Sequence, residues 1–253
     1  MTHISYIRLD TADSTNSRLA AMTEAPHATV LCAREQTAGR GQRGNTWEAE
    51  PGRNLTLSML LRPDSLEAHS QFAVSEAVAL GVALTLDRYL GADTPTAIKW
   101  PNDIYVGDRK ICGILIENTL AGRRIERSIA GIGLNVNQKR FVSDAPNPVS
   151  MAQIAGHEFP LDQVMTTLCS EIAALFDRHI ASGCLESLHE LYIARLWRRK
   201  GLHPYRDTAT GERFLAAIDS IGPMGHLTLR DASGSLRTFA FKEVKSEIDT
   251  LLL

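Results

Sequence analysis

The sequence lacks the patterns by which cysteine and histidine usually reveal a metal site or a disulfide framework. Its cysteines, Cys32, Cys112, Cys169 and Cys184, form no C-x-x-C pair, and its histidines include no H-E-x-x-H. Reduced thiols are expected, as in a cytoplasmic protein. No apolar run approaches the roughly 20 residues that span a bilayer, and "MTHISYIRLD" has neither the charged start nor the apolar core of a signal peptide.

The charge balance gives no global reason to bind nucleic acid or an anionic membrane. Lysine and arginine number 27 and aspartate and glutamate 29, which leaves a formal net charge of -2. The basic stretch "RLWRRKG" (195–201) is interpreted as the end of a helix that stops at Gly201, in preference to a DNA-binding patch. We expect no nucleic-acid partner and no membrane partner.

Hydrophobic patterning predicts an α+β protein in two parts. Strands are predicted at "ISYIRLD", "ATVLCARE", "NLTLSMLL", "AIKW", "ICGILIE" and "RSIAGIGLNVN". A buried helix is predicted over 70–91, and further helices over 162–182 and 184–198. Beyond Leu202 the runs "HPYRD", "RFLAAIDSI", "GHLTLRD" and "LRTFAFKEV" predict a small all-β barrel or sandwich. We expect a catalytic domain over 1–200 and a barrel over 201–253.

The stretch "GRGQRGNTW" (39–47) contains G-x-G-x-x-G, a pattern typical of dinucleotide-binding turns. Such a turn must open a helix that receives the pyrophosphate, but only "NTWEAEPGRN" separates Gly44 from the strand at Leu55. A kinase is excluded because H-R-D and D-F-G are absent. Two readings remain: a flexible loop whose arginines and Trp47 bind a phosphate- or carboxylate-bearing ligand, or a surface turn with Trp47 in the core.

A second segment, "KWPNDIYVGDRKICGILIE" (99–117), concentrates charge within a strand-turn-strand pattern. If "AIKW" and "ICGILIE" pair as a long hairpin, Lys99 and Lys110 face one pocket beside Asp103. The alternative is a surface cluster of salt bridges.

Together with "STN" (14–16) and "GIGLNVN" (131–137), these two segments resemble biotin protein ligases of the group that lacks an N-terminal DNA-binding domain. The resemblance implies a catalytic domain like that of class II aminoacyl-tRNA synthetases, with a mixed sheet and flanking helices, and an SH3-like C-terminal barrel. It implies that biotin and ATP form biotinyl-5'-AMP, with Mg²⁺ whose ligands the sequence does not indicate. A lysine of a carboxylase's biotin carboxyl carrier domain then receives biotin.

The resemblance also implies site residues. For catalysis they are Arg40, Lys99, Asp103 and Lys110, with Asp103 orienting or deprotonating the carrier lysine. For biotin they are Ser14, Thr15, Asn16, Gln36, Arg40, Gly41, Gln42, Lys99, Gly113, Gly131 and Gly133. For ATP they are Arg40, Arg43, Trp47, Asn102, Lys110 and Asn135.

Two departures from the family pattern carry expectations. Gln42 stands where many relatives have arginine, so we expect weaker retention of the adenylate and more off-target biotinylation than in a Gln42→Arg variant. The first catalytic strand begins within the first ten residues, so a ligase without repressor activity is expected. The alternatives are a lipoate ligase, which normally lacks the G-R-G loop and "KWPND", and a non-catalytic biotin sensor. A homodimer through an edge strand is compatible with the sequence.

Overall fold

The computed structural model describes residues 2–41, 46–91, 93–142 and 147–247. Its larger sheet has seven strands in the order β1-β2-β3-β7-β6-β5-β4. Only β1 and β2 pair in parallel, and the other neighbours are antiparallel, as expected of a mixed sheet. The strands are β1 (Ser5–Ala12), β2 (Thr29–Gln36), β3 (Leu55–Leu61), β4 (Thr96–Lys99), β5 (Asp103–Val106), β6 (Arg109–Ala121) and β7 (Arg124–Leu134).

The helices cover both faces of this sheet. They are α1 (Thr15–Ala21), α2 (Phe72–Leu90), α3 (Met151–Ala155), α4 (Leu161–Leu175) and α5 (Leu185–Ala194). Because side chains alternate along a strand, Leu60 and Ile129 form a small apolar cluster with Leu19 of α1, whereas Met59 and Ala130 belong to the main core with α2. The short α1 covers only part of its face, and the rest of that face is available for a site.

Helix α2 is buried almost all round, as its continuous apolar sequence predicts. It approaches α4 closely at Gly81, where a Cβ atom would lie 2.6 Å from Cγ1 of Ile172. Glycine therefore sets the spacing of these two helices. A π-helical turn over Phe176–Ile180 continues α4.

The C-terminal part forms a separate five-stranded antiparallel sheet in the order β11-β10-β9-β8-β12. Its strands are β8 (His203–Asp207), β9 (Arg213–Ile221), β10 (Leu227–Asp231), β11 (Leu236–Phe239) and β12 (Val244–Ser246). The predicted all-β part is present. The run "LRTFAFKEV" is two strands, because a turn at 240–243 interrupts it.

Three details of the sequence interpretation were wrong. Strands β4 and β6 do not pair, because β5 lies between them. Helix α5 ends at Ala194, and two of the cations that follow pair with carboxylates, Arg195 with Asp87 and Arg198 with Asp108. Helix α3 was not predicted; its capping box, in which Ser150 and Gln153 bond each other's backbone, stabilises a helix too short to show periodicity.

Among the described residues, no helix is long and apolar enough to cross a membrane.

Candidate active site

A cavity of about 850 Å³ opens on the face of the sheet that α1 covers only in part. It brings together most of the residues that the sequence indicated: Ser14, Thr15, Asn16, Gln36, Arg40, Gly41, Trp47, Lys99, Asp103, Lys110, Gly113, Gly131, Gly133 and Asn135. Asn102 is buried and is not among the lining residues. Gln42 and Arg43 lie outside the described residues. The described parts of the loop, 37–41 and 46–54, contain no helix, which agrees with the rejection of a dinucleotide turn.

One end of the cavity is neutral and polar, and it is built at the start of α1. The Oε1 atom of Gln36 accepts from the backbone N–H of Thr15 at 2.8 Å and from its hydroxyl at 3.1 Å. The hydroxyl of Ser58 lies 2.8 Å from that of Thr15 and also contacts Oδ1 of Asn16. Because Gln36 Oε1 accepts both bonds, its Nε2 is left as a donor at this end.

The floor of the cavity is bare backbone, because glycines occur side by side on β6 and β7. Gly113 pairs with Gly133, and Gly131 lies between Ser58 and Leu115. A Cβ atom on Gly131 would lie 2.3 Å from Oδ1 of Asn16. No real side chain tolerates that distance, so Gly131 is required for the position of Asn16.

Trp47 lies flat against this floor. A Cβ atom added to Gly113 would lie 2.8 Å from Cζ3 of Trp47, and one added to Gly133 would lie 2.3 Å from Cε2 of Trp47. Within the described part of the chain, two buried polar atoms here have no hydrogen-bond partner: Nε1 of Trp47 and Oδ1 of Asn135. The amide nitrogen of Asn135 donates to the Val149 carbonyl at 3.1 Å. An unpaired buried donor and an unpaired buried acceptor are costly unless a ligand satisfies them.

The cationic side of the cavity contains Lys99 and Lys110. The ammonium of Lys110 donates to Asp103 at 2.6 Å, and this pair is about one quarter exposed. Lys99 lies over the rings of Tyr105 and Trp197, with its Nζ 5.0 and 5.2 Å from the ring centroids. Burial lowers the pKa of Lys99 below that of an ordinary lysine, although the Asp103 carboxylate opposes the shift.

Arg40 reaches the neutral end from the glycine loop. Its Nη2 atom donates to Oε2 of Glu117 at 3.2 Å, and the same oxygen accepts from Nδ2 of Asn16 at 2.7 Å. Glu117 therefore joins a residue of the loop to a residue of α1.

Sequence reasoning missed Ser58, Tyr105, Glu117, Trp197 and Lys245, which all line the cavity or contact residues that do. For Glu117 a signal was present, since it follows Gly113 and Leu115 at the two-residue spacing of one strand face. For Lys245, which belongs to the C-terminal sheet, no local pattern indicates proximity to the cavity.

Within the described ranges, no group of three or more histidine, cysteine, aspartate or glutamate side chains could hold a metal ion.

The comparison with known families fits this geometry. Residues 8–135, which include the neutral end, the loop and the glycine floor, match the model of the biotin/lipoate A/B protein ligase family. The chain is also 32% identical over 231 residues to the biotin--[acetyl-CoA-carboxylase] ligase of Paracoccus denitrificans, covering 88% of this chain and 92% of that relative. The chain belongs to the biotin/lipoate A/B protein ligase family.

Other members of the family differ in length. The bifunctional ligase/repressor of Bacillus subtilis is 34% identical over 162 residues, which are 62% of this chain and 48% of the relative. The chain thus spans about half the length of that relative. The biotin protein ligase of Aquifex aeolicus, solved with biotin and ATP, shares the fold with a TM-score of 0.79 at 22% identity, covering 96% of this chain and 99% of the other.

Proposed function

We propose that this chain is an ATP-dependent ligase that activates biotin as biotinyl-5'-AMP and transfers it to a lysine of a biotin carboxyl carrier domain. One observation carries the proposal: a single cavity joins a neutral, hydrogen-bonding end to a cationic side that a planar indole adjoins. A ligand with a polar uncharged head, a carboxylate and a nucleotide fits that sequence of environments.

The neutral end favours biotin over lipoate. The ureido group of biotin has N–H donors and a carbonyl acceptor, and Asn16, Thr15 and Gln36 offer the complementary groups there. The dithiolane ring of lipoate can make none of these bonds, so binding it would leave buried polar groups unpaired.

For the first step, we assign charge neutralisation to Lys99 and Lys110 on the cationic side. The predicted catalytic role of Arg40 requires its guanidinium to leave the pair with Glu117 at the neutral end. A carboxylate oxygen of biotin attacks the α-phosphorus of ATP, the bond from that phosphorus to the bridging oxygen breaks, and pyrophosphate leaves. Because both reactants are anions, fixed cations beside them stabilise the charge of the transition state. Trp47 supplies a flat surface for the adenine, and Oδ1 of Asn135 supplies an acceptor.

For the second step, we assign Asp103 to the carrier lysine, whose amine attacks the acyl carbon while AMP leaves. Asp103 lies on the cavity wall, paired with Lys110, and can orient the amine and accept its proton. The proposed partner is the carrier domain of a carboxylase, and the proposed location is the cytoplasm, which supplies ATP and suits the free cysteines. A homodimer stays a prediction of the sequence.

Magnesium fits this site as a companion of the triphosphate. Mg²⁺ usually binds through one or two carboxylates together with substrate phosphates, so a cage of protein ligands is not required. Asp103 and Glu48 are carboxylates of the cavity lining that could hold it. When bound, the ion would neutralise phosphate charge.

We also propose that the described part of the chain has no repressor role. Two of the cations after α5 are held in ion pairs by Asp87 and Asp108, which leaves less free charge for phosphate contacts. Specific binding to a biotin operator in a gel-shift assay would overturn this.

The function is tested by pyrophosphate exchange with ATP and Mg²⁺, with biotin or lipoate as the acid, followed by mass detection of a biotinylated carrier domain. We expect exchange with biotin and a biotinyl adduct on one lysine. Exchange with lipoate alone would indicate the lipoate ligase, and biotin binding without exchange would indicate the non-catalytic sensor.

A further inference from the structure

We propose that Glu117 is a positioning residue that fixes the orientation of the Asn16 amide and thereby sets the preference for a ligand that donates an N–H at the neutral end of the cavity. This inference rests on the proposed function. It assigns a role to the side chain of Glu117, which extends from strand β6 and contacts Asn16 and Arg40.

The orientation of an asparagine amide depends on its partners, because its oxygen and nitrogen are nearly the same size. A carboxylate accepts hydrogen bonds and does not donate them, so the contact of 2.7 Å to Oε2 of Glu117 must come from Nδ2 of Asn16. On the other side, Oδ1 contacts the Ser58 hydroxyl, which can donate to it. The Glu117 contact determines the orientation of the amide, and the Ser58 contact is compatible with it.

The surroundings give Asn16 no room to take up another position. Asn16 is 3% exposed, and its Oδ1 atom occupies the space where a side chain on Gly131 would begin. Rotation of the amide by half a turn would place Oδ1 against the carboxylate of Glu117, where two acceptors repel each other. Glu117 therefore leaves one arrangement, in which an acceptor oxygen belongs to the cavity wall.

That arrangement selects ligands by their donors. An N–H of a ureido group can bond to Oδ1, whereas a ligand without such a donor leaves this buried oxygen with one fewer partner. Arg40 donates to the same Oε2 atom, so the loop arginine and Asn16 are held by one carboxylate oxygen. The charge of the guanidinium helps to keep that oxygen in place.

The experiment compares wild type with Glu117→Gln, which keeps the shape but can both donate and accept. We expect the KM for biotin in pyrophosphate exchange to rise about tenfold, as for the loss of one oriented buried hydrogen bond, while kcat stays within about twofold because the bond is made equally in the ground and transition states. Glu126→Gln, the same change on an exposed position of β7, is the matched control and should leave both constants unchanged.

A second variant tests the geometry by reversing the bond. In Asn16→Asp combined with Glu117→Gln, the amide of residue 117 donates to a carboxylate that still presents an acceptor to the ligand, so we expect most of the lost biotin affinity to return. Thermal unfolding of every variant is measured in parallel, and if the single variant does not fold, the double variant decides alone.

The outcomes separate the two proposals. Wild type that does not exchange pyrophosphate with biotin contradicts the proposed function. Wild type that exchanges, together with a biotin KM in Glu117→Gln within about twofold of wild type, overturns the positioning role, and so does a double variant that folds but shows no recovery.

Discussion

Gly133 determines the position of Trp47 because it has no side chain. A Cβ atom on Gly133 would lie 2.3 Å from Cε2 of Trp47, so the indole fills the space that such an atom would need. The Nε1 atom of Trp47 is buried without a hydrogen-bond partner in the described part of the chain. A distance of that size cannot be relieved by a small adjustment. The position proposed to carry adenine is thus set by a residue with no functional group.

Gly133→Ala should therefore displace the indole and impair adenylation. Because small errors in position are costly in catalysis, we expect kcat/KM for ATP to fall about 100-fold. Steady-state pyrophosphate exchange measures this. The control is Gly222→Ala, a site where the nearest atom lies 4.0 Å from the added carbon and no strain is expected. Equal activity of both variants would contradict the assignment of Trp47.

The buried position of Lys99 predicts that activity depends on pH in the alkaline range. Burial lowers its pKa below 10.5, so as pH rises its positive charge is lost earlier than that of an exposed lysine. The pH dependence of kcat/KM for biotin reports the ionisation of the free enzyme. We expect this constant to decline at alkaline pH, at a value below 10.5. In Lys99→Arg the decline should move upward, because arginine stays charged. A profile that is identical in the two proteins would show that another group titrates.

Most residues of the cavity could be named from the sequence, because they occur in short motifs whose chemistry is recognisable. For Glu117 the spacing from Gly113 and Leu115 gave its strand face, but a glutamate at that position has the same sequence pattern whether its face is open to solvent or lines a binding site. Its partners Asn16 and Arg40 are 101 and 77 residues away along the chain. Only the pairing of β6 with β7 and the position of α1 bring these side chains together.

At the scale of elements, α5 is held against α2 by a pair that depends on pH. His189 lies 2.6 Å from Glu76, whose side chain is 4% exposed. The hydrogen bond to Glu76 raises the pKa of His189 above 6.5, although burial opposes the shift. A raised histidine pKa stabilises the fold below the unfolded value, and this contribution is lost as pH rises through the folded value.

We therefore expect the Tm of wild type to fall as pH rises from 6.5 through the raised pKa of His189. The Tm of His189→Gln should fall less over the same range. Since the histidine is partly exposed, solvent screening limits the effect to about 1 kcal/mol, or about 2 to 4 °C in a protein of this size. Calorimetry across that range measures it. If the variant shows the same pH dependence as wild type, the pair contributes nothing.

The elements that the sequence predicted best are those whose periodicity is long. Helix α2 was placed within two residues at each end, from 70–91 to Phe72–Leu90. The order of β4, β5 and β6 was mistaken, because the short β5 lies inside a segment interpreted as a turn. Strand neighbours depend on pairing between distant residues, which local patterns do not encode.

At the scale of the whole molecule, the C-terminal sheet contributes to the cavity. Lys245 of β12 is one of the lining residues. The two sheets are also joined at Trp100, whose indole N–H donates to the Gly225 carbonyl at 2.9 Å and whose ring lies 5.4 Å from that of Phe241. The C-terminal part thus supplies a cation to a site built mainly by the first 135 residues.

Lys245→Ala should weaken ATP binding. An exposed cation contributes modestly, so we expect the KM for ATP to rise about two- to fivefold, and the difference from wild type to shrink at high salt. Pyrophosphate exchange at two ionic strengths measures both effects. Lys200→Ala, an exposed lysine outside the cavity lining, is the control. An equal rise of the KM for ATP in Lys200→Ala would contradict a role of Lys245 in ATP binding.

The glycine floor limits how this cavity can be redesigned. Gly113, Gly131 and Gly133 already have the smallest possible side chain, so no substitution there can deepen the cavity, and each would only make it shallower. Room for a bulkier ligand must come from other lining residues, such as Leu115 or Trp47. Variant libraries that aim at new ligands should therefore keep these three glycines fixed and vary the other lining residues.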